Sequence, residues 1–269
     1  MGIPDSSLQD RVCIVTGAAR GLGLAMSQAL VGAGARVVAV DTAMDDASPG
    51  GNSRLLHLRA DVSAEEQCRR IVDQALRRFG AIHVLVNNAG LGTRSINAEH
   101  DVSPMKFWEL PVDGWRRVIE VNINGVFLMA HAVAPIMIAS GFGRIVNIST
   151  GWVTMARYGD SPYGPSKAAL ESCTAIWAKE LASTGVTCNA LAPGGPVDTS
   201  LARGPVAGRR KGALLSPEIM AEPILWLASD RSAAWTGRRF VATDWDSGLP
   251  PDQAAAKSAS PARELPAII

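Results

Sequence analysis

The chain has 269 residues, of which 47% are hydrophobic and 19% charged, with 26 basic against 25 acidic side chains and a formal net charge of +1. That length suits one α/β domain with a substantial buried core. The balanced charge leaves no footprint for nucleic acid or an anionic membrane surface, and no apolar run read from the sequence approaches the roughly 18–20 residues of a membrane span.

The opening MGIPDSSLQD is polar and lacks the charged start and apolar stretch of a signal peptide, so a cytoplasmic protein is expected. Cys13, Cys68, Cys173 and Cys188 are scattered, without a CxxC pair or a histidine at metal-ligand spacing. They read as free, mostly buried thiols, and no metal is expected. His57, His83, His100 and His131 are dispersed and read as structural or surface residues.

The first β-rich run, residues 11–16, leads directly into Thr16-Gly17-Ala18-Ala19-Arg20-Gly21-Leu22-Gly23. Glycines at a strand-to-helix turn let the backbone bend tightly and let a pyrophosphate approach. The N–H groups of the following helix then face the anion. Leu22, Met26, Ala29, Leu30 and Ala33 form the stripe of that helix, with Gly34 at its C-terminal cap. A second strand, 36–40, ends at Asp41, 24 residues after Gly17. A carboxylate there can accept both hydroxyls of an adenosine ribose and repel a 2′-phosphate. NAD(H) is therefore favoured over NADP(H), although Arg20 pulls weakly the other way and a solvated loop aspartate is the plainer alternative.

Residues 54–60 give a third strand. Ser63 and Glu66 predict a capping box on a helix whose stripe (Cys68, Ile71, Val72, Ala75, Leu76, Phe79) closes at Gly80. After a fourth strand at 82–86, residues 91–110 form a long connection suited to a substrate pocket. A long helical pattern spans about 113–140 and carries Phe127, Met129 and Ile136 on more than one face. Residues 144–149 form a fifth strand. Trp152, just beyond it, reads equally as pocket wall or core.

Tyr163 and Lys167 open the next helical pattern, 163–184, which includes Ile176 and Trp177. Four residues apart on a helix, the two side chains leave the same face. A phenol with a pKa near 10 is a poor acid or base at neutral pH. A neighbouring ammonium favours the phenolate, and a shift of about three units corresponds to roughly 4 kcal/mol. Only Tyr163, of the two tyrosines, has such a partner.

Strands at 186–191 and 238–243 flank a loop, 200–215, that carries Arg203, Arg209, Arg210 and Lys211. This cluster reads as solvated surface rather than an anion site. From Pro250 the chain turns rich in Ala, Pro and Ser and reads as a tail, mobile or draped on a neighbouring subunit. The expected organisation is a domain over 1–249 and a tail over 250–269. Seven strand-like runs alternating with helices imply a doubly wound, parallel α/β sheet with right-handed crossovers and helices on both faces.

TGAARGLG, Asp41, Asp61-Val62, Asn87-Asn88-Ala89-Gly90, Val121-Asn122-Ile123-Asn124-Gly125-Val126-Phe127 and Tyr163-x-x-x-Lys167 appear in the order and spacing of one family. Across roughly residues 8–248 the chain resembles the short-chain dehydrogenase/reductases. The resemblance implies a single Rossmann-like domain that moves hydride between NAD(H) and a secondary alcohol or ketone. Tyr163 would be the acid/base, Lys167 would lower its pKa and bind the nicotinamide ribose, and Asn122 would hold a water of a proton relay. Around the cofactor it implies Gly17, Ala19, Arg20, Gly21, Leu22 and Gly23 at the pyrophosphate and Asp41 at the ribose. Asp61 and Val62 would contact the adenine. Asn88, Ala89 and Gly90 would lie along the ring system, with Pro193, Gly194, Val197 and Thr199 about the nicotinamide.

Three departures from the family pattern are visible. The substrate-orienting serine is replaced by Thr150, thirteen residues before Tyr163. Adjacent Ser149 points to the opposite face of the strand, so Thr150 is assigned the role. The segment from Pro193 to Thr199 is one residue longer than usual, and Val241-Ala242-Thr243-Asp244-Trp245-Asp246 replaces a Gly-Gly turn. A homotetramer or dimer and a small-molecule partner are expected. The alternatives are an NADPH-dependent reductase of oxoacyl thioesters and a non-catalytic NAD-binding regulator.

Overall fold

The apolar runs become strands in the order the sequence places them. In a computed structural model that describes residues 8–44, 53–199 and 214–260, β1 (Val12–Thr16), β2 (Arg36–Asp41), β3 (Leu55–Arg59), β4 (Val84–Asn87), β5 (Gly143–Ile148), β6 (Val186–Ala192) and β7 (Arg239–Val241) form one sheet. Its order is β3-β2-β1-β4-β5-β6-β7, and every pair is parallel. The chain winds outward from β1 in one direction and from β4 in the other. The crevice at the carboxyl ends of those two strands is the switch point where such sheets hold ligands.

Period-two alternation divides the strands between two cores. Cys13 and Val15 face one cluster with Met26 and Leu30 of α1 (Gly21–Gly32) and with Ile224 and Trp226 of α7 (Ala221–Ala228). Val12 and Ile14 face the other, with α2 (Glu65–Phe79), α4 (Gly125–Ser140) and α6 (Tyr163–Glu180). Helices cover both faces of the sheet. Gly34 (φ +88°) and Gly80 (φ +78°) adopt the left-handed backbone expected where helices end.

Four expectations need correction. Helix α2 starts after Ala64 with no side-chain cap. Ser63 instead donates its hydroxyl to Asp61 Oδ1 at 2.7 Å, because an aspartate two residues back competes for it. The last strand is shorter than read, and Ala242–Asp244 coil into a 3-10 turn. The stretch from Val112 to Ser140, comprising α3 (Val112–Ile119), a π turn and α4, is 29 residues long with a mean hydropathy of 1.7 in its most apolar window. By length and composition it is long and apolar enough to cross a membrane, which the scattered Asn122, Asn124, His131 and Pro135 concealed in the sequence. Here Val121, Met129, Val133 and Met137 pack into the core beneath the sheet.

The fourth correction is the tail. Pro251–Ser258 form a helix, α8, whose Ala254 and Ala255 are fully buried. Trp226 donates its indole N–H to Asp252 at 2.8 Å, and Ala259 bridges Phe240 antiparallel. The alanines read as tail-like because a short helix needs only small side chains to lie flat on an aromatic floor. The basic cluster at 203–211 lies outside the described residues.

Candidate active site

The glycine turn is built by close approach. Gly17 sits at φ +66°, and a Cβ on Gly23 would stand 2.1 Å from the Gly17 carbonyl oxygen, so neither position tolerates a side chain. Asn88 closes the turn from the far side, donating its amide to the carbonyls of Thr16 (2.9 Å) and Gly17 (3.0 Å). Ala89 donates its N–H to the Thr16 hydroxyl at 3.0 Å. The Asn88 amide therefore braces the loop, and Gly23 leaves room for the Gly17 carbonyl. Helix α1 begins behind Arg20 with no side-chain cap and no acidic residue in its first turn. Its free N–H groups are the donors an anion would satisfy.

A cleft of about 1340 Å³ runs along the carboxyl edge from this turn to Tyr163. Gly17, Arg20, Gly21, Leu22, Asp41 and Val62 line one part of it. Asp41 accepts the N–H of Ala19 at 3.1 Å and of Ala43 at 2.9 Å, which holds its carboxylate over the turn from the end of β2. Ala19 does its part through its backbone. Asp61 also lines the cleft, but its carboxylate is committed to Ser63 and to Arg117 at 2.7 Å. Burial pushes that carboxyl up, and the Ser63 and Arg117 bonds together hold it below its ordinary value.

At the other end Tyr163 opens α6 and lines the cleft together with Thr150, which is near enough to pull the phenol's pKa down. Ser149 points away, donating to Glu171 Oε1 at 2.5 Å. Both residues follow the end of β5, and Thr150 is the one that acts on the phenol. Lys167 is buried and donates its ammonium to the Ile148 carbonyl at 2.8 Å, with Nζ 5.9 Å from the centre of the Tyr163 ring. Burial lowers its pKa to about 8 against the pull of Glu171. Burial also pushes the Tyr163 phenol up, while Thr150 and Arg157 pull it down. The expected net acidification by Lys167 is not met in this arrangement. The low-dielectric setting outweighs the help, and the ammonium is turned to a carbonyl one strand away.

Replacing Thr150 by alanine should lower kcat/KM about 100-fold, the scale of one lost orienting hydroxyl. It should also move the alkaline rise of the rate to higher pH, since Thr150 lowers the Tyr163 pKa. Ser149→Ala should leave kcat/KM within about threefold of wild type, and pH–rate profiles of both variants check the pair.

Asn122 is fully buried in the π turn Glu120–Asn124, a local unwinding that recurs at functional sites. Its carboxamide donates to the Leu91 carbonyl (3.0 Å) and the Ser166 hydroxyl (2.9 Å) and accepts the Leu91 N–H (2.8 Å). The side chain ties the 91–110 connection to α6. Its reach to Lys167 runs past Gly90, where an added Cβ would meet Asn122 Oδ1 at 3.3 Å and Lys167 Nζ at 3.7 Å. Ala89, Gly90, Pro193, Gly194, Val197 and Thr199 all line the cleft. The long 193–199 segment holds its path because Val197 bridges Leu215, and it brings Thr199 against Gly21. Trp152 is a pocket wall, with the Arg239 guanidinium 5.2 Å from its ring centre.

Two constellations lie outside what the sequence reveals. Arg239 and Glu171 form a buried ion pair (3.3 Å), and Arg239 also donates to the Thr150 carbonyl. Glu171 lies one helical turn beyond Lys167, which is a readable signal, but its partner comes from β7. The second is His100, buried, bonded through Nε2 to Asp160 at 2.8 Å, with Asp160 in turn accepting from Arg157 at 2.6 Å.

Comparison with known proteins agrees with this geometry. A family model described as short chain dehydrogenase matches residues 11–208. The chain is similar to cis-4-hydroxycyclohexanecarboxylate dehydrogenase of Sinomonas cyclohexanicum, 36% identical over 241 residues, covering 85% of this chain and 93% of that protein. It is similar to a 3-oxoacyl-[acyl-carrier-protein] reductase of Thermotoga maritima, 34% identical over 249 residues, covering 86% and 95%. Among solved structures, the 3-ketoacyl-(acyl-carrier-protein) reductase of Brucella melitensis complexed with NADH superposes with a TM-score of 0.76 at 29% identity, covering 87% of this chain and 96% of that one.

Proposed function

The chain belongs to the short-chain dehydrogenase/reductase family of oxidoreductases, and on that premise we propose that it interconverts a secondary alcohol and a ketone with NAD(H). The observation that carries the reading is one cleft lined at one end by Tyr163, Thr150 and Lys167 and at the other by an uncapped helix N-terminus beside Asp41. The donor set fits a dinucleotide: free α1 amides and Arg20 for the pyrophosphate, Asp41 for the adenosine ribose, Lys167 for the nicotinamide ribose. A nicotinamide bound there supplies the hydride acceptor for oxidation and the donor for reduction.

In oxidation Tyr163 removes the hydroxyl proton of the substrate, and in reduction it returns one. Thr150 holds the phenol and the substrate oxygen in line. Lys167 supplies buried positive charge one helical turn away, and the π turn at Asn122 fixes the backbone beside it. The Brucella reductase is complexed with NADH, which supports NAD(H), as does a carboxylate rather than a basic residue at the end of β2. Arg20 in the glycine turn favours the second reading, an NADPH-linked oxoacyl-thioester reductase. The half-exposed Phe127 (49%) and Ile176 (50%) on α4 and α6 support a homodimer or homotetramer. The free thiols of Cys13, Cys68, Cys173 and Cys188 suit a reducing cytoplasm as its place of work.

Oxidation of a panel of secondary alcohols, cis-4-hydroxycyclohexanecarboxylate included, followed by absorbance of the reduced cofactor with NAD and with NADP, tests the reading. Turnover with NAD is expected. Turnover with NADP alone removes the cofactor assignment, and tight dinucleotide binding without any turnover favours the regulator. Asp41→Ala should cut the NAD/NADP preference about 10- to 100-fold, since the repelled 2′-phosphate no longer meets a like charge. Thr42→Arg should push it further towards NADP.

A further inference from the structure

The 91–110 connection and the segment 150–160 meet around a cation that the chemistry at Tyr163 does not use. Arg157 follows the short helix α5 (Trp152–Met155) and lines the cleft six residues before Tyr163. Its Nε donates to Asp160 Oδ2 at 2.6 Å, while Asp160 Oδ1 is held by His100 Nε2 at 2.8 Å. Asp160 and His100 are nearly inaccessible, with side chains 3% and 8% exposed, whereas that of Arg157 is 48% exposed. Burying a carboxylate and an imidazole is costly unless each is paired. This pair fixes one edge of a guanidinium and leaves the other free. Among the described residues the two terminal nitrogens of Arg157 have no protein partner.

Among the described residues, the other cations near the substrate end are committed. Arg94 pairs with Asp101 at 2.8 Å, Arg239 with Glu171, and Lys167 with the Ile148 carbonyl. Arg157 lies close enough to Tyr163 for its charge to act on the phenol. A guanidinium held by Nε presents its two terminal N–H groups as a fork, the geometry that receives both oxygens of one carboxylate.

Resting on the dehydrogenase reading above, we propose that Arg157, oriented by Asp160 and His100, is the specificity-determining residue of this site and that the substrate is a hydroxy or keto acid whose carboxylate it binds. The substrate then spans from its carbinol at Tyr163 and Thr150 to its carboxylate at Arg157, across the wall formed by Trp152. A neutral alcohol of the same shape reaches the same phenol but leaves the fork unpaired.

The test compares hydroxy acids of three skeletons (3-hydroxybutyrate, 4-hydroxycyclohexanecarboxylate and mandelate) with their primary carboxamides. Two readouts are used: kcat/KM for oxidation, and affinity of the corresponding keto acids and keto amides by calorimetry. Wild type is expected to prefer the acid over the amide by roughly 10- to 100-fold on at least one skeleton, the scale of a charge-assisted pair. Arg157→Gln keeps a donor for Asp160 and should abolish that preference, lowering kcat/KM for the acid far more than for the amide, which loses only the pull of Arg157 on the Tyr163 phenol. Arg157→Lys should restore part of it. Equal use of acid and amide on every skeleton, or a loss in Arg157→Gln shared equally by both, overturns the proposal. If no alcohol turns over, the dehydrogenase reading fails instead, and calorimetry still decides the carboxylate. Selective binding of keto acids lost in Arg157→Gln upholds the site, and equal or absent binding of acid and amide overturns it.

Discussion

Tyr163→Phe should bind the dinucleotide as tightly as wild type and turn over alcohols about 10³- to 10⁴-fold more slowly. The substitution removes one oxygen from a ring that stays packed at the start of α6, so the glycine turn, Asp41 and the cleft walls keep their geometry. What disappears is the group that takes the proton, and a positioned acid/base contributes on the order of 10²–10⁴ in rate. Burial raises the Tyr163 pKa, so its base form grows as pH rises and wild-type oxidation should accelerate through the alkaline range. The phenylalanine variant should lack that pH-dependent rise. Steady-state rates from pH 6 to 10, beside cofactor titrations, check both halves. Turnover within threefold of wild type would mean that another group moves the proton.

The largest stability effect is expected at Arg239. Its side chain is 8% exposed and that of Glu171 is 6% exposed. Removing one member of a buried ion pair leaves the other charged and unpaired, which costs about 3–5 kcal/mol. Arg239→Met should therefore lower Tm by on the order of 10 °C at pH 8. The sign of the pH dependence follows from Glu171. Burial already raises its pKa in the fold, and Arg239 opposes that rise. Without the guanidinium the folded pKa climbs further above the unfolded one. Below the ordinary carboxylate range both states are protonated and the penalty is absent, and it grows as pH rises through the interval between the two pKa values. The deficit in Tm relative to wild type should be smaller at pH 5 than at pH 8. Adding Glu171→Gln to Arg239→Met should recover part of the loss, because neither charge is then stranded. A deficit that does not vary with pH would show that Arg239 contributes through packing against Trp152 alone.

The residues behind these two predictions differ in how visible they are along the chain. Tyr163 and Lys167 are four positions apart in one helix, so the periodicity of the chain brings them together with no knowledge of the fold. For Thr150 against Ser149, strand alternation supplies the expectation, and the fold turns Ser149 to Glu171. The glycine turn and Asp41 are legible because a strand, a turn and a helix in succession specify their own geometry. The sequence makes Gly23 and Asn88 expected cofactor contacts, and the fold shows that they also hold the turn together. That second role is hidden because close backbone packing and close ligand approach both require the absence of a side chain.

Local spacing thus determined the parallel sheet, the glycine turn and the placing of Tyr163 beside Lys167, since each depends on residues within one strand–helix unit. Only the tertiary structure joined Arg239 to Thr150, 89 positions earlier, and His100 to Asp160, 60 positions later. It also turned the start of the expected tail, Pro251–Ser258, into α8, lodged against Trp226 and Phe240. Such contacts have no period to reveal them. They exist because winding the sheet outward from β1 and β4 brings distant loops to the same carboxyl edge, where buried charges must find partners whatever their distance along the chain.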